Sequence, residues 1–414
     1  VIQSYLNTLR RFGRSVRLCL VATALIGFTV SGGIYSVLLN LYLLRLGYGP
    51  QFIGLVNAMS PLAVVLTSFL AGLAGERWGS RNAMIVGIAL AALGSSALAL
   101  GGTTTGTLRD SWILSTYFCV GVGLALYMVN VTTFLMDASS LQERNHVFSA
   151  RITFLPLAGF LGSLVGGWLP GILAPALHTS LHQPTAYRIV LLTAGVLLLP
   201  AVFTLLAAPE PKSTASRQES PSRGPTGSPV ATIALVAFIG FLRVMGEGAP
   251  RAFINVYLDA VLHVPLAQIG LLIGIARLLA VPAGLVMPLI SARWGTGRTV
   301  AFGACGVALG LLPLALLPHW LAAGIGFMAM TALAAIARSA FIVFAMESVP
   351  PRWRGTMSGA TTMSASISWA ATAYGGGYLV QGIGYRGVFL IGAALTLAGA
   401  SLFWFRFCRG RAAA

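Results

Sequence analysis

Apolar stretches of about 20 residues recur from Leu18 nearly to the C-terminus, separated mostly by short turns, and they leave this chain few folds to adopt. At 1.5 Å rise per residue, each is long enough to cross the roughly 30 Å hydrocarbon core of a bilayer as a helix. They read as spans at 18–42, 51–74, 83–101, 111–136, 147–174, 187–208, 230–258, 266–290, 299–317, 320–346, 356–382 and 387–405. Only 8% of the 414 residues are charged and 57% are hydrophobic, whereas a soluble chain carries about 25% charged residues. The expectation is an all-α polytopic membrane protein of twelve helices, with no soluble domain in its connections.

The net charge of +17 invites a nucleic-acid reading, but its distribution argues for topology instead. With twelve spans the connections alternate between two sides. One side carries Arg10, Arg11, Arg14, Arg17, Arg77, Arg81, Arg144, Lys212, Arg217, Arg223, Arg293, Arg298, Arg352, Arg354, Arg406, Arg409 and Arg411. The other carries Arg45, Arg109, Arg188 and Arg386. That bias puts the first side, with both termini, in the cytoplasm. The expected location is the plasma membrane, or the inner membrane of a Gram-negative cell, with no nucleic-acid partner. The basic N-terminus precedes a span too long for a signal peptide and lacks an A-x-A cleavage pattern, so it reads as retained. Cys19, Cys119, Cys305 and Cys408 stand singly in apolar sequence, with neither metal-ligand spacing nor a disulfide framework.

The polar, Ser- and Pro-rich stretch 209–229 cannot bury a core and reads as a cytoplasmic linker between domains at 1–208 and 230–414. The two domains repeat one another. Asn40-Leu41-Tyr42-Leu43 returns as Asn255-Val256-Tyr257-Leu258, and Ile53-Gly54 as Ile269-Gly270. Arg77-Trp78-Gly79 returns as Arg293-Trp294-Gly295, and Gly166-Gly167 as Gly376-Gly377. Met136-Asp137 with Arg144 matches Met346-Glu347 with Arg354, and Tyr187-Arg188 matches Tyr385-Arg386. Equivalent elements lie an even number of spans apart, so the repeats are parallel in the membrane rather than inverted.

The loop Gly72-Leu73-Ala74-Gly75-Glu76-Arg77-Trp78-Gly79-Ser80-Arg81 resembles the G-x-L-a-D-r-x-G-r-k signature of the major facilitator superfamily, with Glu76 in place of the usual Asp. Its counterpart from Pro288 to Arg298 keeps Arg293, Gly295 and Arg298 but has Ala292 where the acid would stand. The resemblance covers the whole chain. It implies two parallel six-helix bundles around a central cavity, alternating access, a small-molecule substrate, a monomer, and neither cofactor nor metal. It also implies that Gly72, Glu76, Arg77, Gly79 and Arg81 latch the cytoplasmic side. The turns Asp137 to Arg144 and Glu347 to Arg354 are candidate gating salt bridges, or separately solvated surface pairs.

Arg243, Glu247 and Arg251 in span 7, Arg277 in span 8 and Arg338 in span 10 lie within the membrane by sequence. Each central arginine costs about 2.5–3.5 kcal/mol to insert, so four facing lipid would cost roughly 10–14 kcal/mol. They must face a wet cavity, an ion partner, or both. Arg243, Glu247 and Arg251 are spaced i, i+4, i+8 and share one stripe, on which Glu247 can pair either way. Glu247 is the only acid deep in any span, which makes it the proton-coupling candidate; a structural ion triad is the bland reading. Four positive charges against one favour an anionic solute, held by Arg243, Arg251, Arg277 and Arg338. Tyr35, Asn40, Asn57, Tyr127 and Asn130 are the polar groups the first half can offer, as lining or as helix-packing hydrogen bonders. Pro250 beside Gly246 and Gly248 predicts a locally weakened span 7.

A proton-coupled multidrug efflux antiporter is the alternative. Ala158 to Gly167 keeps Gly162, Gly166 and Gly167 of that branch's span-5 pattern, but Ser163 replaces its proline and Tyr117 stands where its span-4 arginine would fall. No H-E-x-x-H, G-x-S-x-G or P-loop pattern occurs, so the chain does not read as an enzyme.

Overall fold

The computed structural model of the chain describes residues 12–140, 143–210 and 229–408. Those residues form helices and turns, with no strand among them. Of the linker expected at 209–229, residues 211–228 lie outside the described residues, as do the basic positions Arg10, Arg11, Lys212, Arg217, Arg223, Arg409 and Arg411.

Ten spans form the segments Arg14–Arg45, Pro50–Trp78, Ser80–Thr103, Gly106–Ala138, His146–Ala176, Pro184–Leu206, Val230–Ala260, Leu266–Trp294, Thr296–Leu316 and Trp320–Glu347. The helix that follows, Arg354–Phe403, has 50 residues, about 75 Å if straight and far more than a bilayer can hold. Gly384 interrupts it with φ 72° and ψ 172°, a conformation essentially reserved for glycine. Spans 11 and 12 therefore run at 354–383 and 385–403, and the described residues provide twelve spans of an all-α membrane protein. The turns also carry the repeat. Gly79 ends span 2 with φ 84° and ψ 148°, and Gly295 ends span 8 with φ 83° and ψ 150°.

The chain forms two compact units, one of residues 1–46 and 62–219, the other of 47–61 and 220–414. Residues 47–61, at the start of span 2, group with the second unit. There a Cβ on Gly54 would collide with the carbonyl oxygen of Ala373, and a Cβ on Gly377 would lie 2.5 Å from that of Pro50. Backbones meet without side chains between them.

In the first unit, span 1 is two helices, Arg14–Thr29 and Ile34–Arg45, and the break between them faces span 5. A Cβ on Gly162 would collide with the carbonyl oxygen of Phe28, and one on Gly27 with that of Leu155. Small residues let transmembrane backbones approach this closely. Beneath that seam, Ile26, Tyr127, Phe134, Leu198 and Leu205 belong to the unit's buried core.

In the second unit, span 7 packs against spans 11 and 12 through small polar residues. Ser364 donates to the Ala237 carbonyl and Ser368 to the Phe241 carbonyl at 2.8 Å. Gly248 faces Thr372, and Gly246 faces Gly392 and Thr396. Span 7 stays helical from Val230 to Ala260 despite Pro250. The expected weakening takes no visible form there; span 1 is broken instead. Neighbouring hydroxyls support the span 7 backbone, as when Thr396 donates to the Arg243 carbonyl at 3.4 Å. Such side chains are how membrane helices tolerate proline.

The glycine seam yields a matched pair on one helix. Gly162→Val is expected to destabilise the protein by about 1–3 kcal/mol, the usual cost of overpacking. Gly171→Val, on the same span with open space around it, is expected to leave the melting temperature in detergent unchanged. Equal melting temperatures for the two variants would show that the seam is not close-packed.

Candidate functional site

The charges of spans 7 and 10 converge on one buried carboxylate. Glu247 is 1% exposed. Its Oε1 accepts from Nη1 of Arg243 at 3.5 Å. Its Oε2 accepts from Nη2 of Arg251 at 3.2 Å and from Nη2 of Arg338 at 3.2 Å. The first two contacts follow from helical spacing, since residues four apart share a face. The third joins span 7 to span 10 and could not be read from spacing. Arg277 of span 8 lies within electrostatic reach of Arg251 and Arg338.

The cluster is graded in exposure. The Arg243 side chain is 5% exposed, that of Arg251 31% and that of Arg338 40%. Arg243 is sealed against the Phe341 ring, 5.0 Å from its centroid, while Arg251 stands 5.8 Å from the centroid of Trp369. At an effective dielectric near 20, each ion pair is worth roughly 4 kcal/mol of gross attraction, of the same order as an arginine's insertion cost. One carboxylate nevertheless sets a single negative charge against the three arginines paired with it, and the exposed faces belong to arginines alone. Nε of Arg243, Nε of Arg251 and the indole Nε1 of Trp369 are buried without a hydrogen-bond acceptor.

The sequence reading missed Phe341 and Trp369. Trp369 carried a usable signal. Tryptophan favours the membrane–water interface, and this one sits halfway along span 11.

Three polar candidates of the first half, Tyr35, Tyr127 and Asn130, bond to neighbouring helices. The Tyr35 hydroxyl donates to the carbonyls of Ser95 at 2.6 Å and Leu191 at 3.2 Å, tying span 1 to spans 3 and 6. Tyr127 shares a 2.7 Å hydrogen bond with Thr23. Asn130 donates to the Ala71 carbonyl across the span 2–4 contact at 2.9 Å. Asn40 is buried, and Asn57, in the second unit, donates to its own helix at Ile53 at 2.7 Å.

In the signature loop, Glu76 and Arg77 are exposed near the end of span 2, and Gly72 stands in open space. Arg81 caps span 6, donating from Nε to the Leu205 carbonyl at 2.9 Å and from Nη2 to that of Leu206. A cation at a helix C-terminus meets unpaired carbonyls and a favourable dipole. The two later turns use the same device. Arg144 donates to the Met136 carbonyl at 3.2 Å, and Arg354 to the Met346 carbonyl at 3.3 Å. Among the described residues, neither arginine forms an ion pair with Asp137 or Glu347.

Comparison with known proteins extends these observations. The Major Facilitator Superfamily profile matches residues 19–373. A Deinococcus radiodurans protein named a putative sugar efflux transporter is 25% identical over 372 residues, covering 86% of this chain and 88% of its own. The nucleoside transporter NupG, as a D323A mutant, superposes with a TM-score of 0.75 at 14% identity, over 95% of this chain and 100% of that one. The inward-open xylose transporter XylE from E. coli gives 0.74 at 14% identity, over 95% of both chains. Twelve helices, a parallel repeat, the signature loop and a family match across most of the sequence lead to one assignment: this chain belongs to the major facilitator superfamily of membrane transporters.

Proposed function

We propose that the chain is a proton-coupled secondary transporter that moves a small organic anion by alternating access. In this reading it works as a monomer in the plasma membrane, with both termini cytoplasmic. One observation carries the substrate class: three arginines pair with a single buried carboxylate, and the exposed faces of that cluster belong to arginines. A carboxylate or phosphate would meet the forks of Arg251 and Arg338 and accept from the orphaned N–H groups beside them. Buried donors without partners cost about 1–3 kcal/mol each, so an acceptor-rich solute is favoured there.

Glu247 supplies the coupling. Charged, it occupies Arg251 and Arg338; protonated, it releases both to the solute. Proton and anion then bind together, because one creates the site for the other. A structural ion cluster would lack this linkage.

The name of the Deinococcus relative supports a second reading, efflux of a sugar. Gly162 and Gly166 serve the seam with span 1, so the span-5 glycines lend the multidrug antiporter reading no support of their own.

A thermal-shift series on purified protein separates these readings. Sugar acids and sugar phosphates are expected to raise the melting temperature, because a ligand of the folded state stabilises it. Neutral sugars and lipophilic cations are expected not to. Arg338→Gln should weaken the anion about 10–100-fold, as expected for a charge-assisted hydrogen bond. Stabilisation by a neutral sugar, undiminished in Arg338→Gln, would establish the second reading.

Glu247→Gln in proteoliposomes should end proton-driven accumulation while sparing anion exchange. It should also cost about 3–5 kcal/mol of stability by leaving buried arginine charge unopposed, and adding Arg243→Gln should recover part of that loss. Proton-driven accumulation at wild-type level in Glu247→Gln would reduce the cluster to a structural one.

A further inference from the structure

A second feature of the second unit lies far from Glu247 along the helices, at the arginine-rich end. Trp294 closes span 8, Arg298 and Phe302 stand one turn apart early in span 9, and Trp404 opens the π-helical turn Trp404–Cys408 that ends span 12. Together they line an open groove of about 510 Å³. The Phe302 ring stands edge-on to Trp294 with centroids 5.8 Å apart, and is tilted toward Trp404 at 5.7 Å. Trp294 and Phe302 are 49% and 50% exposed. Rings with an apolar body beside a polar edge suit the headgroup level of a bilayer.

The charge beside these rings is uncommitted. Arg298 is exposed and, among the described residues, makes no hydrogen bond or ion pair. Its counterpart in the first repeat, Arg81, is spent on the carbonyls of Leu205 and Leu206. Arg293 precedes Trp294 in sequence and Arg406 follows Trp404 by two residues, and both are exposed. No acidic side chain lines the groove.

We propose that this groove holds one anionic phospholipid of the bilayer. Its phosphate sits on the Arg298 guanidinium, which suits phosphate geometry, and its acyl chain lies along Phe302 and the two indoles. Selectivity comes from charge. A phosphatidylcholine headgroup brings its own cation toward Arg293 and Arg406, which repel it, whereas phosphatidylglycerol does not.

The indoles report on their own occupant. In phosphatidylcholine vesicles, trace brominated phosphatidylglycerol is expected to quench tryptophan fluorescence more than trace brominated phosphatidylcholine. Trp294→Phe and Trp404→Phe together should remove most of that excess. Arg298→Gln should reduce the preference for phosphatidylglycerol about fivefold, the effect of one basic residue at an anionic surface. Arg17→Gln, an exposed arginine of the other unit, should leave it intact. Equal quenching by the two lipids, or an unchanged preference in Arg298→Gln, would overturn the proposal. So would an equal loss in Arg17→Gln, which would mean diffuse attraction. Loss of the excess when inorganic phosphate is added would make this a free-anion site rather than a lipid site, and would overturn it too.

Discussion

Hydrocarbon offers a polar group nothing to bond with, and most features of this protein answer that constraint. The backbone meets it by closing every span on itself as a helix. Side chains meet it where two helices touch: Ser364 and Ser368 bond span 7 carbonyls, Tyr35 bonds two carbonyls of neighbouring spans, and Asn130 bonds Ala71. Where helix ends leave carbonyls unpaired, arginines close them at Arg81, Arg144 and Arg354. Much of the polar inventory is spent in holding the bundles together.

Against that background the Glu247 cluster stands apart. One buried carboxylate here pairs with three arginines, more positive charge than it can balance. Exposure within the cluster rises from Arg243, sealed in the bundle, to Arg338. Asymmetry between the halves follows. The first unit keeps its polar groups in helix contacts, while the second concentrates charge in mid-membrane. A shared fold leaves such choices to the side chains, so the family alone does not name the solute.

The repeat shows how far local rules persist in the absence of identical chemistry. Gly79 and Gly295 adopt nearly the same conformation, because a reversal between two spans in so few residues needs a backbone that only glycine accepts. Arg144 and Arg354 cap equivalent carbonyls in the same way. Yet Arg81 and Arg298, which match in the signature, have diverged in use. One is locked to a helix end, and the other stands beside an aromatic groove.

Span count, parallel repeat, turn glycines and membrane class were legible in the sequence, because each depends on segment length, composition or a conformation tied to one residue type. The stripe of Arg243, Glu247 and Arg251 was legible too, since helical period alone puts those residues on one face. The tertiary structure decided the rest. It brought Arg338 to Glu247 from 91 residues away, placed Trp369 and Phe341 beside the guanidiniums, and turned Tyr35, Tyr127 and Asn130 into packing contacts. It also kept span 7 helical through Pro250 and assigned residues 47–61 to the second unit. Periodicity gives the face of a helix but not its neighbour. The neighbour is chosen by which glycines and hydroxyls allow two backbones to meet, and that depends on every helix in the bundle at once.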